Sequence, residues 1–235
     1  MKLLLMSNST NYGEEFLAYA TPHIQKFLGN EIKSVLFFPY ASVKVSYDEY
    51  AERVKEKFAK IGVEVESIHQ SSDPRKSIEE AEAFVVGGGN TFQLLKIFQK
   101  YMLMEELRYR ITRRGIPYIG WSAGANIACP TISTTNDMPI VEPDSYTAIN
   151  LVSFQINPHY IEWSPEKFSG ESRIKRIEEF LYTDPQSYVV GLREGSVLWV
   201  EDFEVYLLGD KPAKIFKEGE EPKEYHPGDD LDFLY

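Results

Sequence analysis

Residues 116–129 read IPYIGWSAGANIAC, and this stretch decides the fold. An apolar run leads into Gly120-Trp121-Ser122-Ala123-Gly124, and small, helix-compatible residues follow it. This order predicts a strand, a tight turn and a helix, which is the setting of a G-x-S-x-G nucleophile elbow. Glycines suit the flanking positions because so sharp a turn leaves no room for Cβ atoms. We therefore expect the Ser122 hydroxyl at the carboxyl end of a strand, above a helix N-terminus that can hold a developing oxyanion.

Short apolar runs alternate with segments of helical periodicity through the first two-thirds of the chain. We predict strands at residues 2–6, 34–38, 63–68, 83–86 and 117–121, and helices at residues 14–28, 47–61, 77–81, 90–100 and 103–114. The alternation predicts an α/β fold, a three-layer sandwich whose mostly parallel sheet is covered by helices on both faces. Ligands of such folds bind at the carboxyl ends of the strands.

The last third of the chain changes character. A strand is predicted at residues 154–156 and a helix at residues 171–181. Strand-like segments at residues 188–193, 196–200, 205–208 and 214–216 are separated by turn residues, which predicts an antiparallel C-terminal extension of the same sheet. The chain has no internal repeat and no obvious linker, so we expect residues 1–235 to form a single domain.

Composition and charge restrict the class of partner. The net charge of −11 disfavours nucleic acid and anionic membranes, although it does not exclude a small anionic substrate. Cys129 is the only cysteine, so no internal disulfide can form. One cysteine and no signal peptide together lead us to expect a cytoplasmic protein. No apolar run approaches the length of a membrane span.

A serine nucleophile needs a base within hydrogen-bond reach, and the base needs an orienting partner. Four histidines are available. His23 lies inside a predicted helix, His69 ends a strand, and His226 lies in the acidic, polar tail, so all three are better explained as structural or surface residues. His159 follows a strand in Asn157-Pro158-His159-Tyr160, where Pro158 stiffens a loop at the expected site. His159 is therefore the predicted base.

The acidic partner of the histidine is left open by the sequence. Asp137 is a loop carboxylate between Ser122 and His159, and Glu194 ends a strand before a turn. Either side chain could hold the imidazole tautomer, and either could equally be a solvated loop carboxylate. Sequence spacing does not choose between them.

Gly87-Gly88-Gly89-Asn90-Thr91 follows the strand predicted at residues 83–86. The segment lacks the G-x-G-x-x-G and P-loop patterns, which disfavours nucleotide binding. We expect one of its backbone N–H groups to form an oxyanion hole together with that of Ala123. A glycine turn capped by Asn90 or Thr91 would explain the same residues, and both interpretations can hold together. Cys129 is expected to be a packing residue, and no His/Cys/Asp/Glu spacing indicates a metal site.

Taken together, these motifs resemble those of peptidase E, the α-aspartyl dipeptidase family of serine peptidases. The resemblance extends over essentially the whole chain, and the motifs occur in the same order. They are residues 87–94 (GGGNTFQL), 120–126 (GWSAGAN), 134–140 (TTNDMPI) and 157–160 (NPHY). The family has a sheet like that of class I glutamine amidotransferases, whose members carry cysteine at the elbow, rather than the α/β-hydrolase fold.

The resemblance implies roles for individual residues. Ser122 corresponds to the family nucleophile and His159 to its base, while Asp137 and Glu194 both correspond to positions proposed for its acidic member. Gly88 or Gly89 would supply an oxyanion donor. The segment Gly170-Glu171-Ser172-Arg173 corresponds to the one that binds the substrate aspartate, so Arg173 is the implied cation. A surface ion pair with a neighbouring glutamate is the other explanation for Arg173.

The implied activity is that of a serine exopeptidase that cleaves dipeptides with an N-terminal aspartate and needs no cofactor or metal. The expected partner is a small peptide substrate, and a monomer or a homodimer would fit. One alternative is a cyanophycinase-like β-aspartyl peptidase, which the modest chain length disfavours. Another is a catalytically silent binding module of amidotransferase-like fold. Residues 161–168 (IEWSPEKF) depart from the family pattern beside His159, which leaves the details of specificity open.

Overall fold

The computed structural model describes residues 1–162 and 172–235. The strands in these ranges are β1 (Lys2–Met6), β2 (Ser34–Phe38), β3 (Glu64–Ser67), β4 (Phe84–Val86), β5 (Tyr118–Trp121), β6 (Gln155–Tyr160), β7 (Tyr188–Arg193), β8 (Val197–Glu201), β9 (Glu204–Leu208), β10 (Ala213–Lys217) and β11 (Lys223–Tyr225). The α-helices are α1 (Thr21–Leu28), α2 (Tyr47–Ala59), α3 (Pro74–Glu80), α4 (Thr91–Lys100), α5 (Leu103–Arg114), α6 (Ala123–Asn126) and α7 (Arg173–Thr183). Short 3-10 helices lie at Ile68–Gln70 and Asp232–Leu234.

A seven-stranded sheet, called the main sheet below, has the strand order β3-β2-β4-β5-β1-β8-β9. The strands from β3 to β1 pair in parallel, whereas β8 and β9 add to the edge beyond β1 in antiparallel orientation. The parallel strands all end at one edge of the sheet, so the loops that follow β1, β4 and β5 lie side by side there.

Helices and apolar side chains cover both faces of the main sheet. Successive side chains of a strand point to opposite faces. Leu4 and Met6 of β1 lie in one apolar core with α1 and α2, whereas Leu3 and Leu5 lie in another with α4 and α5. The predicted α/β class, with a mostly parallel sheet between layers of helices, is therefore confirmed.

The C-terminal strands differ from the prediction of one continuous sheet. Strands β8 and β9 do extend the main sheet, but β7 and β10 belong to a second sheet with the order β11-β10-β7-β6. Its inner face packs into the core that also holds α4 and α5, and α7 packs on its outer face through Ile177 and Leu181. The alternation of apolar residues is the same for a strand in either sheet, so it cannot tell which sheet a strand joins.

The first helix and the helix after the elbow are short in the structure. The helix predicted over residues 14–28 begins at Thr21, because Leu17 has a left-handed φ of 54° and Pro22 suits only the first turn of a helix. The helix after the elbow is the single turn α6. None of the helices in the described ranges is long and apolar enough to cross a membrane.

Candidate active site

The turn after β5 holds Ser122 in a strained conformation. Its φ of 53° and ψ of −113° are rare for a residue with a side chain. The turn is possible because a Cβ on Gly120 would lie 2.3 Å from the Gly124 carbonyl oxygen, and one on Gly124 would lie 2.1 Å from that of Val86. The Ser122 N–H donates to the Met6 carbonyl oxygen of β1 at 2.9 Å, which ties the turn to the neighbouring strand. The side chain is thus presented at the carboxyl edge of the main sheet.

Ser122, His159 and Glu194 form a continuous hydrogen-bonded chain. The Ser122 Oγ lies 2.8 Å from His159 Nε2, and His159 Nδ1 lies 2.7 Å from Glu194 Oε1. An ionised carboxylate can only accept, so Nδ1 carries the proton and Nε2 is left to accept the serine hydroxyl. This arrangement is the one required for removing a proton from Ser122.

His159 lies inside β6 rather than in a loop after it. The register between β6 and β7 shifts between Asn157 and Tyr160, and His159 adopts a left-handed φ of 54° in this bulge. Bulges redirect side chains near functional sites. The His159 N–H donates to Ser7 Oγ at 2.8 Å, and the Ser7 hydroxyl donates to the Leu192 carbonyl oxygen at 2.7 Å. The fully buried Ser7, which follows β1 of the main sheet, therefore holds the bulge against β7 of the second sheet.

Glu194 lies where the chain passes from the second sheet into the main sheet. Gly195 follows it with a φ of +89°, and its N–H donates to the buried Asn8 Oδ1 at 2.9 Å. On the other side, Arg193 forms ion pairs with Glu224 at 2.7 Å and Glu162 at 2.9 Å. The backbone on both sides of Glu194 is thus anchored, which directs its carboxylate towards His159.

Asp137, the rival candidate, contacts a different partner. Its Oδ2 accepts from the Thr91 N–H at 2.7 Å and from the Thr91 hydroxyl at 2.6 Å. Thr91 is the first residue of α4, so this carboxylate satisfies an N–H at the start of that helix. Asp137 lines the same cleft as Ser122, but it is Glu194 that the structure bonds to His159.

The glycine loop, residues 87–89, lies against the elbow. A Cβ on Gly88 would lie 2.9 Å from the Ser122 Cβ, and one on Gly89 would lie 2.2 Å from the Ala41 carbonyl oxygen, so neither position has room for a side chain. Asn90 caps α4 by accepting from the Gln93 N–H at 3.0 Å. Among the backbone hydrogen bonds of residues 1–162 and 172–235, none uses the N–H of Gly88, Gly89 or Ala123. Both interpretations of the segment, a cap and a source of oxyanion donors, are compatible with this geometry.

Arg173 begins α7, whose N-cap is Ser172. Its Nη1 is buried and has no hydrogen-bond partner within the described residues. Burial lowers the pKa of the guanidinium, and the nearby charge of Glu194 opposes that shift. A partly buried cation close to Glu194, with a donor that has no partner among the described residues, is suited to binding an anionic group of a substrate. Of the segment 161–168 beside His159, the part from position 163 onwards lies outside the described residues, as do Gly170 and Glu171.

The cleft around Ser122 has a volume of about 550 Å³ and is open to solvent on one side. Its lining comes from the loops after β1, β2 and β4, from helix α2 and from the chain after β5, and includes Thr10, Lys44, Arg53, Gly88 and Asp137. This size suits a dipeptide more than a folded protein substrate. In the described ranges no group of three or more His, Cys, Asp or Glu side chains is arranged to hold a metal ion.

The remaining histidines and the cysteine take no part in the hydrogen-bonded chain at Ser122. His69 bonds to Ser67 at 2.7 Å and Asp48 at 3.0 Å, beside a separate cavity. Cys129 is fully buried, and burial raises the pKa of its thiol to about 12. His23 lies on α1, and His226 lies in the turn after β11.

Two residues in contact with the site were not expected from the sequence. Ser7 supports the His159 bulge, and Tyr50 of α2 donates to the Gly88 carbonyl oxygen at 3.1 Å. The only signal for Ser7 is that a polar run, residues 7–11, follows a buried strand at the carboxyl edge. Tyr50 looks in the sequence like any apolar helix position.

Comparisons with a family model and with individual proteins point to the same family. A model of peptidase family S51 matches residues 3–208. A peptidase E from Nostoc sp. is 50% identical over 233 residues, covering 99% of this chain and 96% of that protein. A peptidase E from Salmonella typhimurium is 47% identical over 221 residues, covering 94% of this chain and 96% of that protein.

Solved structures agree with the fold. The structure of a peptidase from an acI-B1 Actinobacterium superposes with a TM-score of 0.74 at 16% identity, covering 98% of this chain and 96% of that one. A Listeria monocytogenes protein named for peptidase E superposes with a TM-score of 0.65 at 27% identity, covering 88% of this chain and 98% of that one.

Proposed function

Because the chain belongs to peptidase family S51 and is a serine peptidase, we propose that it hydrolyses dipeptides with an N-terminal aspartate, using Ser122 as the nucleophile. The observation that carries this proposal is the chain of hydrogen bonds from Ser122 through His159 to Glu194. Ser122 and His159 line the cleft at the carboxyl edge of the main sheet, where a small peptide has access to them, and Glu194 bonds to the far side of the imidazole.

In the proposed reaction, Ser122 Oγ attacks the carbonyl carbon of the aspartyl residue while His159 Nε2 takes the hydroxyl proton. The negative charge that develops on the carbonyl oxygen is stabilised by the N–H of Ala123 and by an N–H of the glycine loop. His159 then gives its proton to the leaving amine, and the peptide bond breaks. Water hydrolyses the acyl-enzyme by the same steps in reverse, with His159 again as the base.

Glu194 is the proposed orienting carboxylate because it accepts the Nδ1 proton, which leaves Nε2 free to act as the base. It also stabilises the imidazolium that forms during each half-reaction. Asp137 has a structural role in this proposal: its carboxylate holds the start of α4, directly after the glycine loop.

Arg173 is the proposed binding site for the substrate β-carboxylate. A guanidinium can bind a carboxylate through two parallel hydrogen bonds, which fixes the distance between the two groups. A glutamate side chain is one methylene longer, and such a difference is worth roughly 10- to 200-fold in kcat/KM. The buried Nη1 of Arg173, which has no partner among residues 1–162 and 172–235, supplies the donor that this recognition needs.

We further propose that residues 1–235 act as one catalytic domain, in the cytoplasm, as a monomer or homodimer without metal or cofactor. The net charge of −11 supports small peptides rather than nucleic acid or anionic membranes as partners. Retention of full activity in the presence of a chelator is the expected result, and its loss would contradict a metal-free mechanism.

The test is hydrolysis of Asp-Leu, isoAsp-Leu, Glu-Leu and Ala-Leu by the wild-type enzyme and by Ser122→Ala. We expect Asp-Leu alone to be cleaved, and the activity to disappear in the variant. Cleavage of isoAsp-Leu instead would identify a β-aspartyl peptidase of the cyanophycinase kind. If no substrate is cleaved, the proposed specificity is wrong.

A further inference from the structure

The glycine loop is held by Tyr50, a partly buried residue of α2. The Tyr50 hydroxyl donates to the Gly88 carbonyl oxygen at 3.1 Å and accepts from the Trp121 indole N–H at 2.9 Å. Trp121 is the residue immediately before Ser122. One hydroxyl thus connects the nucleophile elbow to the loop that is expected to supply an oxyanion donor.

The carbonyl of Gly88 and the N–H of Gly89 belong to the same planar peptide group and point in opposite directions. Holding the carbonyl oxygen on Tyr50 therefore directs the Gly89 N–H away from α2. The next N–H, that of Asn90, is also held, since it donates to the Ala41 carbonyl oxygen at 2.8 Å. Between these two restraints, the Gly89 N–H has no protein acceptor in the described part of the chain.

From this geometry we propose that Tyr50 is a positioning residue for the oxyanion hole, which orients the Gly88–Gly89 peptide so that the Gly89 N–H faces the cleft. The inference rests on the proposed function, because it assumes that Ser122 forms an oxyanion there. Glycine at positions 88 and 89 gives the loop no side chains to resist rotation of this peptide. An external restraint is therefore required to keep its N–H in place.

The surroundings of Tyr50 suit such a restraint. Its ring packs edge-to-face on Phe37 with centroids 5.2 Å apart, and on Phe16 at 6.4 Å. Trp121 stacks on Phe37 at 6.1 Å, so the donor and acceptor of the relay share one aromatic cluster. Aromatic rings packed in this way leave the hydroxyl little freedom to move.

The hydroxyl acts as a hydrogen-bond donor rather than as an acid or base. Burial raises the pKa of Tyr50 well above its usual range, so the hydroxyl stays protonated throughout the working pH range. Accepting from Trp121 polarises the O–H bond and strengthens its donation to Gly88. Tyr50 also lines the cleft beside Gly88, and its proposed effect on the reaction passes through the Gly88–Gly89 peptide group.

The experiment compares wild-type enzyme, Tyr50→Phe and Ser153→Ala. Tyr50→Phe keeps the ring in its cluster and removes only the hydroxyl. Ser153→Ala is the matched control, because it removes a hydroxyl that donates to a backbone carbonyl, that of Leu234, at 2.7 Å, in a region remote from Ser122. Each protein is assayed for kcat and KM on Asp-Leu and for its melting temperature.

The discriminating readout is inhibition by an aldehyde analogue of aspartate, set against inhibition by free L-aspartate. Ser122 Oγ adds to the aldehyde carbon, the hydroxyl proton passes to His159, and the former carbonyl oxygen occupies the oxyanion position. L-aspartate binds without forming an oxyanion. A purely structural role for Tyr50 would change both affinities or neither.

For Tyr50→Phe we expect kcat to fall about 10- to 100-fold with KM within about 3-fold, less than the loss on deleting a donor itself. The inhibition constant of the aldehyde should rise by the same factor as kcat falls, while that of L-aspartate stays unchanged. Ser153→Ala should match wild type in kcat, in KM and in both inhibition constants. A folded Tyr50→Phe with wild-type kcat and aldehyde affinity would overturn the inference.

If Tyr50→Phe does not fold, Trp121→Phe gives a second test. It keeps the bond from Tyr50 to Gly88 and removes the N–H that polarises it, so we expect a smaller fall in kcat, about 3- to 10-fold, matched by the aldehyde. No change in either would overturn the inference. A wild-type enzyme that cleaves none of the dipeptides overturns the proposed function instead, so the two failures can be told apart.

Discussion

The main sheet and the second sheet both contribute to the site, but they hold their side chains in different ways. Ser122 lies in a turn whose shape depends on neighbouring residues of the sequence, Gly120 and Gly124. His159 and Glu194 lie in a bulge and at a chain crossing of the second sheet, and both depend on contacts with residues far away in sequence. The proposed nucleophile is thus positioned mainly by its own turn, whereas the proposed base and orienting carboxylate are positioned by tertiary structure.

This difference indicates where the site is vulnerable. Substitutions near the elbow act on one turn, but the distance between Ser122 and His159 depends on how the two sheets are joined. Ser7 makes that connection, because its hydroxyl bonds to both β6 and β7 from the end of β1. A change at the junction is therefore expected to reduce turnover without touching any reacting atom.

The largest effect is expected at Ser122, in the turn after β5 of the main sheet. Ser122→Ala removes the nucleophile and should lower kcat about 10⁶-fold, since loss of a serine nucleophile costs about as much as loss of the whole triad. The fold should persist, because alanine avoids adding bulk in the turn, and circular dichroism and the melting temperature check this. Residual activity above about 1% of wild type would show that another group attacks the substrate.

The second prediction compares two carboxylates, Glu194 after β7 of the second sheet and Asp137 beside α4. Glu194→Gln should lower kcat about 10³- to 10⁴-fold, because an amide can leave His159 in the wrong tautomer. Asp137→Asn, the matched change, should cost less than about 10-fold, because its neighbour Thr91 belongs to α4 and not to the reacting groups. Steady-state kinetics on Asp-Leu decide between them, and a reversed order would make Asp137 the orienting group.

The third prediction concerns the preference for aspartate and the role of Arg173 in α7, the helix on the outer face of the second sheet. Arg173→Met should lower kcat/KM for Asp-Leu about 10²- to 10³-fold, because the substrate carboxylate would lose its charged partner. The rate with Ala-Leu should hardly change, so the preference for aspartate should disappear. Lys175→Met, on the exposed side of the same helix, is the control and should leave both rates as in wild type. A surface role for Arg173 would leave the preference intact.

A smaller effect is expected at the junction of the two sheets. Ser7→Ala leaves the His159 N–H and the Leu192 carbonyl without their shared partner, and each unsatisfied buried group costs about 1–3 kcal/mol. We expect kcat to fall about 10- to 100-fold with little change in KM, together with a lower melting temperature. Ser7→Cys restores a weak donor and should recover part of the turnover. If kcat is unchanged while stability falls, the bulge does not depend on Ser7.

The same contrast explains what the sequence could predict. Ser122 and its setting follow from a pattern five residues long, and the parallel strands follow from local periodicity. His159 was identified because the other histidines had less favourable positions. The choice between Asp137 and Glu194 could not be made, because it depends on a contact between residues 35 positions apart that joins β6 to the end of β7.

The supporting residues, Ser7 and Tyr50, could not be predicted from the sequence for the same reason. The partners of Ser7 are 152 and 185 positions away, and those of Tyr50 are 38 and 71 positions away. Neither residue has a local pattern that marks it, since a serine after a strand and a tyrosine on an amphipathic helix are common. Assignment of β7 and β10 to a second sheet likewise depends on pairing and not on composition.

The smallest expected effect is at Cys129, which lies close to the elbow in sequence but is buried in the apolar core behind it. Burial shields the thiol from solvent and raises its pKa to about 12, so the native enzyme should resist iodoacetamide. Cys129→Ala should retain turnover within about 3-fold and lose about 1 kcal/mol of stability or less. Mass spectrometry should find one alkylation per chain only after unfolding in urea, since the sequence has one cysteine. Rapid alkylation that abolished native activity would show that Cys129 is reactive and accessible. The elbow and the core behind it would then not be separable as a reacting turn and an inert support.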